Sequence, residues 1–137
     1  MNYINITGGK KYQRDIALKV IRYMIYVLLP KIKVIDIEVV FKTIKESYGY
    51  ATQLDNREFE IELDKNVSIV ELVETLCHEM VHIRQYVRKK LNDSGTKWDN
   101  QQINSEEIDY HDLPWEKEAY NLEEKLTQMV WDNYVIW

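Results

Sequence analysis

The chain has 137 residues, 45% hydrophobic and 30% charged, with only four glycines and two prolines. That composition belongs to an ordered globule of one domain with a single modest core, not to a disordered or low-complexity segment. A net charge of −5 argues against nucleic acid as a partner, because binding a phosphate backbone needs clustered Lys and Arg. Cys77 is the only cysteine, so no internal disulfide can form and a reducing, cytoplasmic setting is expected.

Along the chain, Tyr3 to Ile6 reads as a short strand and Gly8-Gly9 as a turn. The opening MNYINITGGKK has no apolar stretch of signal-peptide length, and no targeting is expected. From Lys10 to Leu29 there is no breaker, and Ile16, Val20, Ile21, Met24, Ile25 and Leu28 recur at helical spacing until Pro30. The most apolar run, Val20 to Leu29, is about half the ~20 residues a membrane span needs and contains Arg22, which predicts a buried core helix. Ile32 to Ile44 is dense in β-branched residues and predicts a strand. Arg57 to Leu63, R-E-F-E-I-E-L, alternates strictly: Phe59, Ile61 and Leu63 on one face, Glu58, Glu60 and Glu62 on the other. Tyr48 to Leu54 is its expected hairpin partner, with Leu54 to Arg57 as the turn.

Val67 to Leu91 lacks Gly and Pro, and Ser68 with Glu71 three residues on has the spacing of a capping box. Asn92 to Leu113 is polar and longer than most connections in a compact domain, which points to a functional loop. Pro114 then suits the first turn of a last helix capped by Asp112 or Leu113, whose stripe is Trp115, Ala119, Leu122, Leu126, Met129 and Val130.

Inside the Val67–Leu91 helix lies H-E-M-V-H. Residues four apart on a helix project from the same side, so the imidazoles of His78 and His82 can converge on one metal ion. Catalytic zinc takes three protein ligands and keeps a position for water, whose pKa it lowers towards 7. Glu79 beside the first ligand is then the candidate general base. The alternative is two surface or core histidines without a metal, and its core form is disfavoured by projection: Leu76, Met80, Ile83 and Val87 define the core stripe, and His78 and His82 lie off it.

The third ligand has three candidates. His111 is the only other histidine, and Glu116 and Glu118 open the last helix in P-W-E-K-E-A-Y. With Trp115, Ala119, Leu122 and Leu126 as the inward face, Glu118 lies about 60° from its centre and Glu116 about 100° away on the other side, which favours Glu118. Acids at a helix N-terminus also suit the macrodipole without any metal.

H-E-M-V-H followed by the glutamate of E-K-E-A-Y-N resembles the compact zincin metallopeptidases of the gluzincin type, particularly small bacterial and phage-encoded ones. The resemblance runs from the hairpin strand to the last helix, about half the chain, and is close over Tyr110 to Ala119. It implies an α+β fold of minimal zincin type: an N-terminal helix, a small, mostly antiparallel sheet, the H-E-x-x-H helix and a C-terminal ligand helix. It implies His78, His82 and Glu118 as zinc ligands and Glu79 as base. The SprT-like group, with H-E-M-x-H and a third histidine, is a rival likeness in which His111 would stand in. That group carries a basic or zinc-ribbon extension, and this acidic, one-cysteine chain has neither.

The expected function is therefore that of a zinc-dependent peptidase acting by metal-activated water on a peptide or protein. R-E-F-E-I-E-L is the candidate edge strand for an extended substrate, and its glutamates, if they flank the cleft, would prefer basic sequences. Tyr110 or His111, just before the ligand helix, could donate a hydrogen bond to the oxyanion. Two other readings stand beside it: a catalytically silent protein that keeps fold and metal but binds a host or regulatory partner, and an α+β interaction domain without metal. Cys77 reads as a small buried residue, and the Arg84, Arg88, Lys89 and Lys90 cluster as a solvated helix end.

Overall fold

The structure, a computed structural model, describes residues 2–92 and 94–137. In chain order it has β1 (Asn2–Thr7), α1 (Lys11–Leu28), β2 (Ile35–Lys42), β3 (Gly49–Asp55), β4 (Glu58–Asp64), α2 (Ile69–Val87), the short strands β5 (Lys97–Trp98) and β6 (Gln101–Gln102), a 3-10 turn at Tyr110–Asp112, and α3 (Pro114–Asp132). Every element expected from the sequence is present, with ends moved by a few residues, and the long connection contains a two-residue hairpin besides.

The fold is α+β, and its main sheet is mixed. Strand order is β1-β2-β4-β3, with β1–β2 and β2–β4 parallel and only β3–β4 antiparallel. The reason lies in the connections. A tight turn can only reverse the chain, as between β3 and β4, whereas the passage through α1 returns it to start β2 in the direction of β1. Alternation sets the faces: Ile35, Ile37, Val39 and Phe41 of β2 and Phe59, Ile61 and Leu63 of β4 are buried in one core with the inward residues of α1 and α2. Each such side chain contributes roughly 1.5–3 kcal/mol by leaving water.

Two expectations about R-E-F-E-I-E-L are corrected. Its strand, β4, lies between β2 and β3 and is interior; the edge beside the H-E-x-x-H helix is β3. Glu58, Glu60 and Glu62 point to the sheet face opposite the core, where Glu62 pairs with Lys42 at 3.1 Å, so they do not flank the helix that carries His78. Alternation reports which face a residue occupies and is silent on which strands lie alongside. The hairpin turn also uses Arg57, rather than Asp or Asn, in the left-handed region, at φ 64°.

α2 begins as expected. Ser68 Oγ accepts from Glu71 N at 3.2 Å, and Glu71 Oε1 accepts from Ser68 N at 2.9 Å. Ser68→Ala is expected to cost about 1 kcal/mol, seen as a lower denaturation midpoint with an unchanged m-value. From Thr75 to Ile83 every residue of α2 is buried, because α1 and the sheet pack on one flank, α3 on another and β3 on a third. Gly49 allows the last approach: a Cβ there would lie 2.8 Å from Glu62 O and 2.9 Å from Thr75 Cγ2. Any larger residue pushes β3 away from α2.

The connection from 92 to 113, whose position 93 lies outside the described residues, is tied down in two places. Asn92 Oδ1 accepts from Thr96 N and Lys97 N, both at 2.9 Å. Leu91, Leu113 and Trp115 form a separate small cluster on which Trp98, Ile103 and Ile108 pack. Among the described residues no helix is long and apolar enough to cross a membrane.

Candidate metal centre

His78 and His82 sit one turn apart on α2, 6% and 7% exposed. The all-round burial of α2 explains why two residues off its apolar stripe are inside: the far side of the helix is covered by α3. What α3 presents there is Glu116. Its Oε1 lies 2.9 Å from His78 Nε2 and 3.2 Å from His82 Nε2, and the two Nε2 atoms are 3.2 Å apart. Three protein donors around one zinc at bond lengths of ~2.0–2.1 Å would be about 3.3 Å from one another, so the spacing fits an ion with little movement. His78, His82 and Glu116 are the one group found among the described residues that could hold a metal ion.

The other candidates lie elsewhere. Glu118 accepts from Gln85 Nε2 at 3.2 Å and faces Arg84 and Lys90, each at 3.9 Å, behind the histidines. His111 is exposed, its ring against Tyr110 and Tyr120. The structure thus places Glu116, not Glu118 or His111, beside the histidine pair. The physical reason is the choice between Leu122 and Val130. Leu122 is only partly buried against the main core, whereas Val130, left out of that projection, is fully buried in it, so counting the one and not the other turned the apparent inward face of α3 the wrong way. With the buried Ala119, Leu126 and Val130 alone, the centre moves to about 60° from Glu116 and about 100° from Glu118.

The outer nitrogen of one ring is also oriented, and that of the other faces an acid. Gln85, 1% exposed, donates from Nε2 to Trp115 O at 3.0 Å, which leaves its Oε1 to accept from His82 Nδ1 at 2.8 Å. A proton held on Nδ1 leaves the Nε2 lone pair for a metal. Glu123 Oε1 stands 3.1 Å from His78 Nδ1, close but too poorly aligned for a directed hydrogen bond. Gln85 and Glu123 were not foreseen; a buried glutamine three residues past His82 and a glutamate seven past Glu116 were the available signals. Gln85→Leu is expected to weaken metal binding roughly 10–100-fold without unfolding the protein, measured by competition with a chromophoric chelator.

The electrostatics fit a cation. Burial alone would push the His78 imidazole down, but Glu116, Glu123 and Glu79 outweigh it and hold it up at about 9. His82 is raised against burial in the same way, chiefly by Glu116. Burial disfavours the Glu116 carboxylate, yet hydrogen bonds from both histidines bring it down to about 2. Without an ion, protons on the rings take the place of its positive charge.

Glu79, 6% exposed, is not one of the converging donors. Burial, with the Glu116 charge adding to it, pushes its carboxyl up to about 7 against the opposing charges of His82 and His78 and a backbone hydrogen bond from Ala51 on β3. Tyr110, in the 3-10 turn, reaches Glu116, and burial pushes its phenol up. Cys77 is buried with its thiol pushed up to about 12 by burial, an inert packing residue. Comparison with protein-family models, curated proteins and solved structures gives no match to the chain.

Proposed function

We propose that the protein is a zinc-dependent peptidase with Glu79 as its general base. The observation that carries this reading is a buried carboxyl set between a His78–His82–Glu116 donor group and the open edge of the sheet. Two nitrogens and one carboxylate oxygen form a donor set suited to Zn2+. A zinc ion held there would lower the pKa of a bound water and polarise a carbonyl.

The chain's own groups account for the rest. In the β3–β4 ladder Asp64 N bonds Tyr48 O, so alternate residues Tyr48 and Tyr50 turn their backbone to β4, while Gly49 and Ala51 turn theirs outward. An extended peptide can pair with that outward edge and lie across Glu79. Glu79 takes the proton from the attacking water and later returns it to the leaving amine. Tyr110, which lines the cleft together with Glu79, Ala51 and Glu116, donates its hydroxyl proton towards the developing oxyanion.

Incubation of the zinc-loaded protein with an unbiased peptide library, read by mass spectrometry, tests this. Defined cuts, abolished by a chelator and restored by zinc, are expected. Stoichiometric zinc without any cut would favour a silent binding protein, and failure to bind zinc tightly would sink both readings.

A further inference from the structure

We propose that the hollow beside His78 is a subsite for a cationic side chain, so that the peptides taken by the site carry lysine or arginine next to the bond cleaved. The assignment of this hollow to a substrate rests on the peptidase reading; its preference for a cation does not.

The hollow has a volume of about 240 Å³ and is lined by Glu74, His78 and Glu123 from the helices and by the rings of Tyr48, Tyr110 and Tyr120. That volume suits a single long side chain. Tyr48, Tyr110 and Tyr120 are 52%, 57% and 40% exposed, and Tyr120 lies tilted against the His78 ring with centroids 4.6 Å apart. No lysine or arginine lines the hollow. The adjoining outer basin, which shares Ser47, Tyr48, Tyr110 and Tyr120 with it, is lined by one lysine, Lys45, beside Glu46 and Asp64.

Two observations beyond the acidic lining point to a ligand. Glu74 is half-buried, and no hydrogen bond or ion pair to its carboxylate is found among the described residues. That carboxylate is left to pair with a cation that enters the hollow. His78, its side chain 8% exposed, lines the same hollow and has at Nδ1, 3.1 Å from Glu123 Oε1, a buried polar atom without a directed hydrogen bond. Carboxylates at the base and aromatic faces around the rim are what an ammonium or guanidinium prefers, since ring faces attract cations and the aliphatic stem packs on the rings. An acidic side chain would meet Glu74, Glu79 and Glu123 together. The preference for basic sequences expected from Glu58, Glu60 and Glu62 thus returns with different residues.

The test follows amide resonances by NMR while protein supplied with zinc is titrated with N-acetyl-arginine amide and N-acetyl-lysine amide. N-acetyl-citrulline amide and N-acetyl-norleucine amide serve as uncharged matches. Shifts should cluster at Ser47, Tyr48, Gly49, Thr75 and Tyr120, with roughly tenfold tighter binding of the cationic compounds. Glu74→Gln should bring arginine down to the citrulline level with zinc content unchanged, and Tyr120→Leu should weaken both cationic compounds. Equal binding of citrulline, shifts scattered over other surfaces, or no shifts at millimolar ligand would overturn the proposal whether or not peptides are cleaved. Cation-selective shifts in a protein that cleaves nothing would uphold the subsite and overturn only the peptidase reading.

Discussion

Glu116→Ala is expected to weaken zinc binding by roughly a thousandfold or more, while Glu118→Ala changes it by less than about tenfold. Glu116 Oε1 is within 3.2 Å of both Nε2 atoms; removing it leaves two imidazoles and no anionic donor. Glu118 touches the site only through Gln85, so its loss loosens the support of His82 without removing a donor. Competition against a chelator indicator measures both, with circular dichroism to verify folding. The reverse order of effects would move the third ligand to Glu118. The wild-type affinity should also depend on pH in a definite direction. His78, at about 9 without metal, is protonated at neutral pH, and zinc must displace that proton. Affinity therefore rises as pH climbs from 7 towards 9, with protons released on binding. In the metal-free protein the same raised value stabilises the fold below the ordinary histidine range, and that contribution fades as pH passes through about 9.

Glu79→Gln is expected to lower kcat/KM by about 10²–10⁴-fold with zinc stoichiometry unchanged. The amide keeps the volume of a buried side chain and cannot accept the proton. The pH profile carries a second signature. Burial lifts Glu79 to about 7, and a dication bound nearby pulls it down from there. Wild-type activity should consequently rise with pH along a limb lying below pH 7, as the base loses its proton. The residual activity of the variant should lack that limb. Loss of zinc together with activity would make Glu79 a ligand and sink its assignment as base.

Much of this was legible in the residues. H-E-M-V-H on a capped, uninterrupted helix placed His78, Glu79 and His82 together because four residues make one turn. Ser68 with Glu71, Pro114 at the first position of α3 and the alternation from Arg57 to Leu63 each act through neighbours in sequence and came out as expected. Less legible was anything set by which elements touch. Glu116 and Glu118 are both acids in the first turns of one helix, and the choice between them turned on whether Leu122 or Val130 goes deeper into the main core. Nothing local to α3 decides that, because the core they face is built by α1, α2 and the sheet.

The sequence by itself determined the periodicities, the caps and turns, and the two histidines with a glutamate between them, since these follow from backbone geometry over three to seven residues. Only the tertiary structure decided that β3 rather than β4 forms the edge, that Glu116 meets the histidines, that Gln85 orients His82 and Glu123 stands beside His78, and that three tyrosines line one hollow with Glu74. Those depend on contacts between residues far apart in the chain, set by how the helices pack around α2 and by a glycine at position 49 that lets β3 come close.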